Sequence, residues 1–113
     1  MSGMSKPVIL TGLRANNDLH IGNYFGAMKQ FVDMQDEYNS MFFIADYHGL
    51  NFIHDGVEMK QQILDLALDY LAIGIEPKKS LIYKQSDLPE HAEHCCICDA
   101  ITPRAYLERS HAY

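Results

Sequence analysis

Several things are scarce or missing in this 113-residue sequence, and each absence excludes something. No apolar run approaches the roughly 20 residues that a membrane-spanning helix requires. The opening MSGMSKPVILTG has one lysine and only a short apolar stretch, which fits neither a signal peptide nor a membrane span. Basic residues are few, with Lys+Arg 9 against Asp+Glu 15 and a formal net charge of −6. That excludes a free-standing, non-specific nucleic-acid binder, which needs a basic face. Cysteines number three, clustered at 95, 96 and 98, and an odd cluster is not a secreted disulfide framework. A cytoplasmic protein without a membrane association is therefore expected. There is no Gly-Lys-Ser/Thr P-loop ending and no G-x-G-x-x-G spacing. Repeats, low-complexity segments and linkers are missing too.

What is present is an apolar content of 48%, enough for a packed core in one small domain. Residues 1–6 are expected to form a flexible leader, with the folded unit over 7–113. Pro7 to Thr11 has the continuous apolar character of a buried parallel strand, and Gly12 is expected to break it into a loop. A helix over about 19–38 then places Ile21, Phe25, Met28 and Val32 at helical spacing. Gly26 inside it suggests close packing or a nearby ligand, because glycine weakens a helix interior. MFFIA at 41–45 is a second strand, ending in Asp46-Tyr47-His48-Gly49. Asp55 and Glu58 have capping-box spacing ahead of a helix carrying Ile63, Leu66, Ala67, Tyr70 and Leu71 on one stripe. Gly74 and Pro77 stop that helix. LIYK at 81–84 is a third strand, and Pro89 is preset for the first turn of a last helix.

The order β-loop-α-β-α-β-α implies parallel strands joined by crossover helices, an α/β, Rossmann-like, doubly wound layout. Three strands make a small sheet, and the pattern reaches Tyr113 without a further strand. The expectation is therefore an amino-terminal part of a larger fold, with an unfinished sheet that exposes apolar surface and favours aggregation.

The richest stretch is Leu10 to Ala27, LTGLRANNDLHIGNYFGA. A strand, a polar loop and a helix opening at His20-Ile21-Gly22-Asn23 form a candidate polyphosphate site, since a helix start presents unpaired N–H groups and partial positive charge. Read without that ligand, Asn16, Asn17 and Asp18 are turn and cap formers in a connecting loop. A second cluster, His91 to Asp99, contains C-x-x-C at 95–98 with His91/Cys95 and His94/Cys98 one turn apart. Zinc or redox chemistry is the alternative to cysteines packed as small hydrophobes. No second distant ligand pair accompanies it, so packed cysteines and no protein-bound metal are expected.

HIGN at 20–23 resembles the first signature of class I aminoacyl-tRNA synthetases, usually HIGH. Thr11-Gly12, LHIGNYFGA at 19–27, IADYH at 44–48 and QSDLPEHAE at 85–93 occur in the order and spacing of bacterial-type tryptophanyl-tRNA synthetases. The tyrosyl enzymes are similar but fit these flanks less well. The resemblance runs from Pro7 onward and implies the amino-terminal half of a class I catalytic domain. It implies a ligase that activates tryptophan with ATP and Mg2+, transfers it to tRNA(Trp), and works as a homodimer. By position, His20 and Asn23 match the catalytic signature. Arg14, Ala15, Asn16, His20, Gly22 and Asn23 match the ATP side, and Leu10, Gly12 and His48 the amino-acid side. Two departures stand out: Ala15-Asn16-Asn17 replaces a frequent Pro-Ser/Thr-Gly, and the second signature, KMSKS, occurs nowhere in the sequence. A non-catalytic ATP-binding or dimerising module is the alternative from another class.

Overall fold

The computed structural model describes residues 6–15 and 19–110. Three strands, β1 (Val8–Arg14), β2 (Asn39–Ala45) and β3 (Ser80–Lys84), form one sheet in the order β1-β2-β3. Both pairings are parallel, with Gly12 beside Phe43 and Phe43 beside Tyr83 in register. The helix α1 spans 21–34, an α-helical turn Ile21–Asn23 and a π-helical stretch Tyr24–Met28 running into Lys29–Met34. A short turn of helix, α2 (Asp46–Gly49), follows β2, and α3 (Gly56–Ala72) crosses to β3. A 3-10 turn, Gln85–Asp87, leads to α4 (Glu90–Ile101) and α5 (Arg104–Leu107). This is the parallel α/β layout expected from the alternation of strands and helices.

The core lies on one face of the sheet. Phe42 and Ile44 point from β2 toward Met28 and Phe31 of α1 and Leu66 and Tyr70 of α3. Phe31 stacks on Phe42 at 5.0 Å between ring centroids and meets Tyr70 edge-on at 6.2 Å, both favourable aromatic geometries. The Tyr70 hydroxyl accepts a hydrogen bond from the Leu13 amide (3.0 Å) and donates to the Phe43 carbonyl (3.2 Å), forming a side-chain rung between β1 and β2. Burial pushes this hydroxyl's pKa well above its ordinary value, while the Leu13 N–H opposes part of that rise. Gln35, also buried, ties α1 to the end of α3 by donating to the Gly74 carbonyl and accepting from the Glu76 amide, each at 2.9 Å. Asp55 caps α3, its carboxylate accepting from the Val57 and Glu58 amides.

The opposite face is open. Val8, Leu10 and Leu81 are more than half exposed there, next to Met41 and the tilted Phe43–Tyr83 ring pair. Apolar side chains laid out at period 2 on both faces of β1 and β2 are what a sheet sandwiched between two layers requires.

Several local expectations need correction. Gly12 does not break β1, which continues to Arg14. A Cβ at Gly12 would lie 2.1 Å from the Phe43 carbonyl oxygen and 2.8 Å from its ring, so close strand approach is what requires glycine here. Ile21 and Phe25 are exposed, and the buried stripe of α1 begins only at Met28, because the π-helical turn shifts the helical phase ahead of it. Gly26 has open space where a side chain would be, which removes close packing as its reason. Leu71 is exposed on the outer side of α3 with Leu64 and Leu68. Cys95 and Cys96 are exposed rather than packed, and Cys98 is half-buried.

Candidate active site

The carboxyl ends of the three strands meet along one edge of the sheet, the place where open α/β sheets receive ligands. After β1 the chain passes through Ala15 to the segment 16–18, which lies outside the described residues and includes Asn16 and Asn17. It is described again at Leu19 and enters α1 through His20.

His20 is the N-cap of α1. Its Nδ1 accepts from the Gly22 amide at 3.1 Å, and the Asn23 Oδ1 accepts from the His20 amide at 3.1 Å. This is a reciprocal capping box built from histidine and asparagine. Because Nδ1 accepts, the proton of the neutral ring is on Nε2, which has no hydrogen-bond partner among the described residues. A Cβ at Gly22 would lie 2.9 Å from His20 Nδ1, so the ring keeps this position only beside a glycine. His20, Gly22 and Asn23 thus act as one unit at the positive end of α1, with His20 exposed.

A second group assembles Arg14, Ala15 and His48. The Arg14 guanidinium Nη1 lies 3.4 Å from His48 Nε2 and sits over the Phe52 ring at 5.4 Å. Arginine has only donors, so His48 Nε2 is the acceptor of that contact. Ala15 is buried, and its carbonyl lies where a Cβ on Gly49 would come within 2.9 Å. Gly49 therefore lets α2 pack against the turn after β1. No hydrogen bond joins this group to the His20 group among the described residues. Leu10 and Gly12 lie further back on β1, with Leu10 exposed on the open sheet face beside Met41 in register.

Sequence reasoning missed the residues that lock this edge together. The buried Asp46 carboxylate accepts from its neighbour Tyr47 N–H at 3.0 Å and from Ser86 N–H at 3.1 Å, fastening the end of β2 to the turn after β3. In that turn Asp87 accepts from the Lys84 amide at 3.0 Å and pairs with the Lys84 ammonium at 2.9 Å. The pair raises the Lys84 pKa and lowers that of Asp87, each charge stabilising the other. The signal in the sequence is that Asp46 and Asp87 each follow an apolar strand, in IADYH and QSDLPEHAE, where a carboxylate can accept from the backbone amides of a turn.

A helix start that suits an anion and a basic side chain at the carboxyl edge of a parallel sheet are the parts from which α/β folds build nucleotide sites. The chain's sequence narrows the class: residues 4–109 match the family described as tRNA synthetases class I (W and Y), and the chain belongs to that family. It is 50% identical over 104 residues to a tryptophan–tRNA ligase of Fusobacterium nucleatum, covering 92% of this chain and 32% of the relative. It is 47% identical over 105 residues to one from Campylobacter jejuni, covering 93% and 33%. The crystal structure of tryptophanyl-tRNA synthetase from Campylobacter jejuni superposes with a TM-score of 0.85 at 45% identity, over 97% of this chain and 34% of that one. A structure of the same enzyme complexed with ADP and tryptophan gives 0.85 at 46%, over 92% and 33%. The chain thus spans about a third of the length of the relatives it matches. None of its described helices is long and apolar enough to cross a membrane.

Proposed function

We propose that this chain supplies the first-signature side of an ATP-dependent tryptophan-activating site, in a protein that forms tryptophanyl-adenylate and passes the amino acid to tRNA(Trp). The observation that carries the proposal is the His20–Gly22–Asn23 capping box, which engages Nδ1 and so leaves the proton of the neutral ring on Nε2 at a helix start. As an amino-acid carboxylate attacks the α-phosphorus, negative charge builds on phosphoryl oxygens. Donors already held in place stabilise that charge without reorganising. His20 and Asn23 are the catalytic pair in this reading, with Asn23 acting by holding the cap. Arg14, Ala15, Asn16 and Gly22 line the ATP side, and Mg2+ accompanies the phosphates. Leu10, Gly12 and His48 face the amino acid. The related enzyme solved with ADP and tryptophan supports both ligands.

A homodimer in the cytoplasm completes the proposal, supported by the outward Leu64, Leu68 and Leu71 of α3 as an apolar surface suited to a partner.

ATP–pyrophosphate exchange by the purified chain, with tryptophan, tyrosine or no amino acid, tests the reading. Exchange that requires tryptophan and falls about 100-fold or more in His20→Ala is expected of a site that works this way. Exchange unaffected by His20→Ala, or equal with tyrosine, would overturn it. If exchange is undetectable, ATP binding by calorimetry decides the matter: binding weakened in His20→Ala supports the nucleotide site, and equal or absent binding refutes it.

A further inference from the structure

Helix α4 carries the chain's three cysteines on a segment in which no residue is buried. They are not equivalent. Cys98 Sγ lies 3.6 Å from His94 Nε2, one helical turn back, a sulfur–imidazole hydrogen bond in which the Nδ1–H tautomer lets the ring accept from the thiol. The Cys98 carbonyl accepts from both the amide (2.9 Å) and the hydroxyl (2.6 Å) of Thr102, the C-cap of α4, so Cys98 lies in the last turn of the helix. No such base contacts Cys95 or Cys96 among the described residues.

Helix geometry then selects a partner for Cys98. Residues three apart on an α-helix have Cα atoms about 5 Å apart, inside the roughly 4.4–6.8 Å range of a disulfide. Their Cβ atoms stand about 5–6 Å apart against the roughly 3.5–4.5 Å of a bridge, so closure requires a local opening of the helix near its carboxyl end. The residue three before Cys98 is Cys95. Cys96 is two residues away, on the order of 200° around the helix from Cys98, and points elsewhere. Adjacent Cys95 and Cys96 have Cα atoms about 3.8 Å apart, below the disulfide range.

We propose that His94, Cys98 and Cys95 form a peroxide-sensitive dithiol, with Cys98 the attacking sulfur and Cys95 the resolving one. In the first step the Cys98 sulfur attacks one oxygen of hydrogen peroxide and the O–O bond breaks. His94 takes the thiol proton and returns it to the departing hydroxide, giving Cys98 sulfenic acid and water. Sulfur loses two electrons and the peroxide gains them. In the second step the Cys95 sulfur attacks the sulfenic sulfur, the S–O bond breaks, and hydroxide leaves with the Cys95 proton as a second water. The product is the Cys95–Cys98 disulfide, reversed by a dithiol reductant.

The test is intact-mass and peptide mapping of the reduced 113-residue chain after stoichiometric hydrogen peroxide, with circular dichroism confirming each variant's fold. The wild type and Cys96→Ser should each lose the mass of two hydrogen atoms, with the bridge mapped to 95 and 98. Cys95→Ser should instead accumulate a sulfenic acid on Cys98, captured by dimedone, and His94→Ala should slow that capture about 10-fold or more. A bridge that involves Cys96, a dimedone adduct on Cys96 in Cys95→Ser, intermolecular disulfides alone, or no bridge in the folded wild type would each refute the proposal. Capture as fast in His94→Ala as without it would remove the base from the scheme.

Discussion

Tyr70→Phe removes one oxygen atom and tests how β1 is held to the core. The ring fills its place between α3 and Phe31 in either case, so the aromatic packing is unchanged. What is lost are the bonds from Leu13 N–H and to the Phe43 carbonyl. A buried polar group without a partner costs about 1–3 kcal/mol, and a satisfied bond contributes about 1 kcal/mol net. If β1 cannot move inward, both backbone groups lose their partner and destabilisation should be about 2–3 kcal/mol. Inward movement is limited because Gly12 already approaches the Phe43 carbonyl closely. Urea unfolding reads this as a midpoint about 1 M lower with the slope unchanged.

The same substitution has a pH signature. Tyr70 titrates above its unfolded value, so its contribution is complete below about pH 10 and declines as pH rises through the folded value, by about 1.4 kcal/mol per unit. Wild-type stability should fall along that limb, and Tyr70→Phe should lack this component. A destabilisation below about 0.5 kcal/mol, or an identical alkaline limb in the variant, would refute the rung.

Gly12→Ala should destabilise by about 3 kcal/mol or more in the same urea assay, because the obstructing atom is backbone rather than a flexible side-chain end. Gly22→Ala should push the His20 ring off the helix start. Calorimetry should then show ATP binding weakened to the level of His20→Ala, with stability reduced by only about 1 kcal/mol. Asp46→Ala should lower stability by about 2–4 kcal/mol, and Asp46→Asn by about half as much, since an amide oxygen still accepts from Ser86 N–H. At low pH the Lys84–Asp87 bond should open as Asp87 protonates below the ordinary carboxylate range, which NMR titration of the Asp87 carboxyl carbon would detect.

The order of strands and helices, the parallel sheet, the helix start at His20 and the Asp55 cap were all legible in the sequence. Each is written in local periodicity, capping residues or turn chemistry, which act over a few residues. The four ordered motifs likewise carried the family, because they stand in the chain itself. What needed the tertiary structure were relations between distant residues. The sequence cannot say that Gly12 serves a strand pairing rather than a turn, because the atom excluding a side chain belongs to Phe43. It cannot show Arg14 meeting His48, or Asp46 fastening Ser86, across more than thirty residues of intervening chain. Nor does a heptad-like count reveal that a π-helical turn moves Ile21 and Phe25 out of the core, or which side of α3 takes Leu71. Burial is decided by which surface another element covers, and that is a property of the packed fold rather than of any stretch of residues.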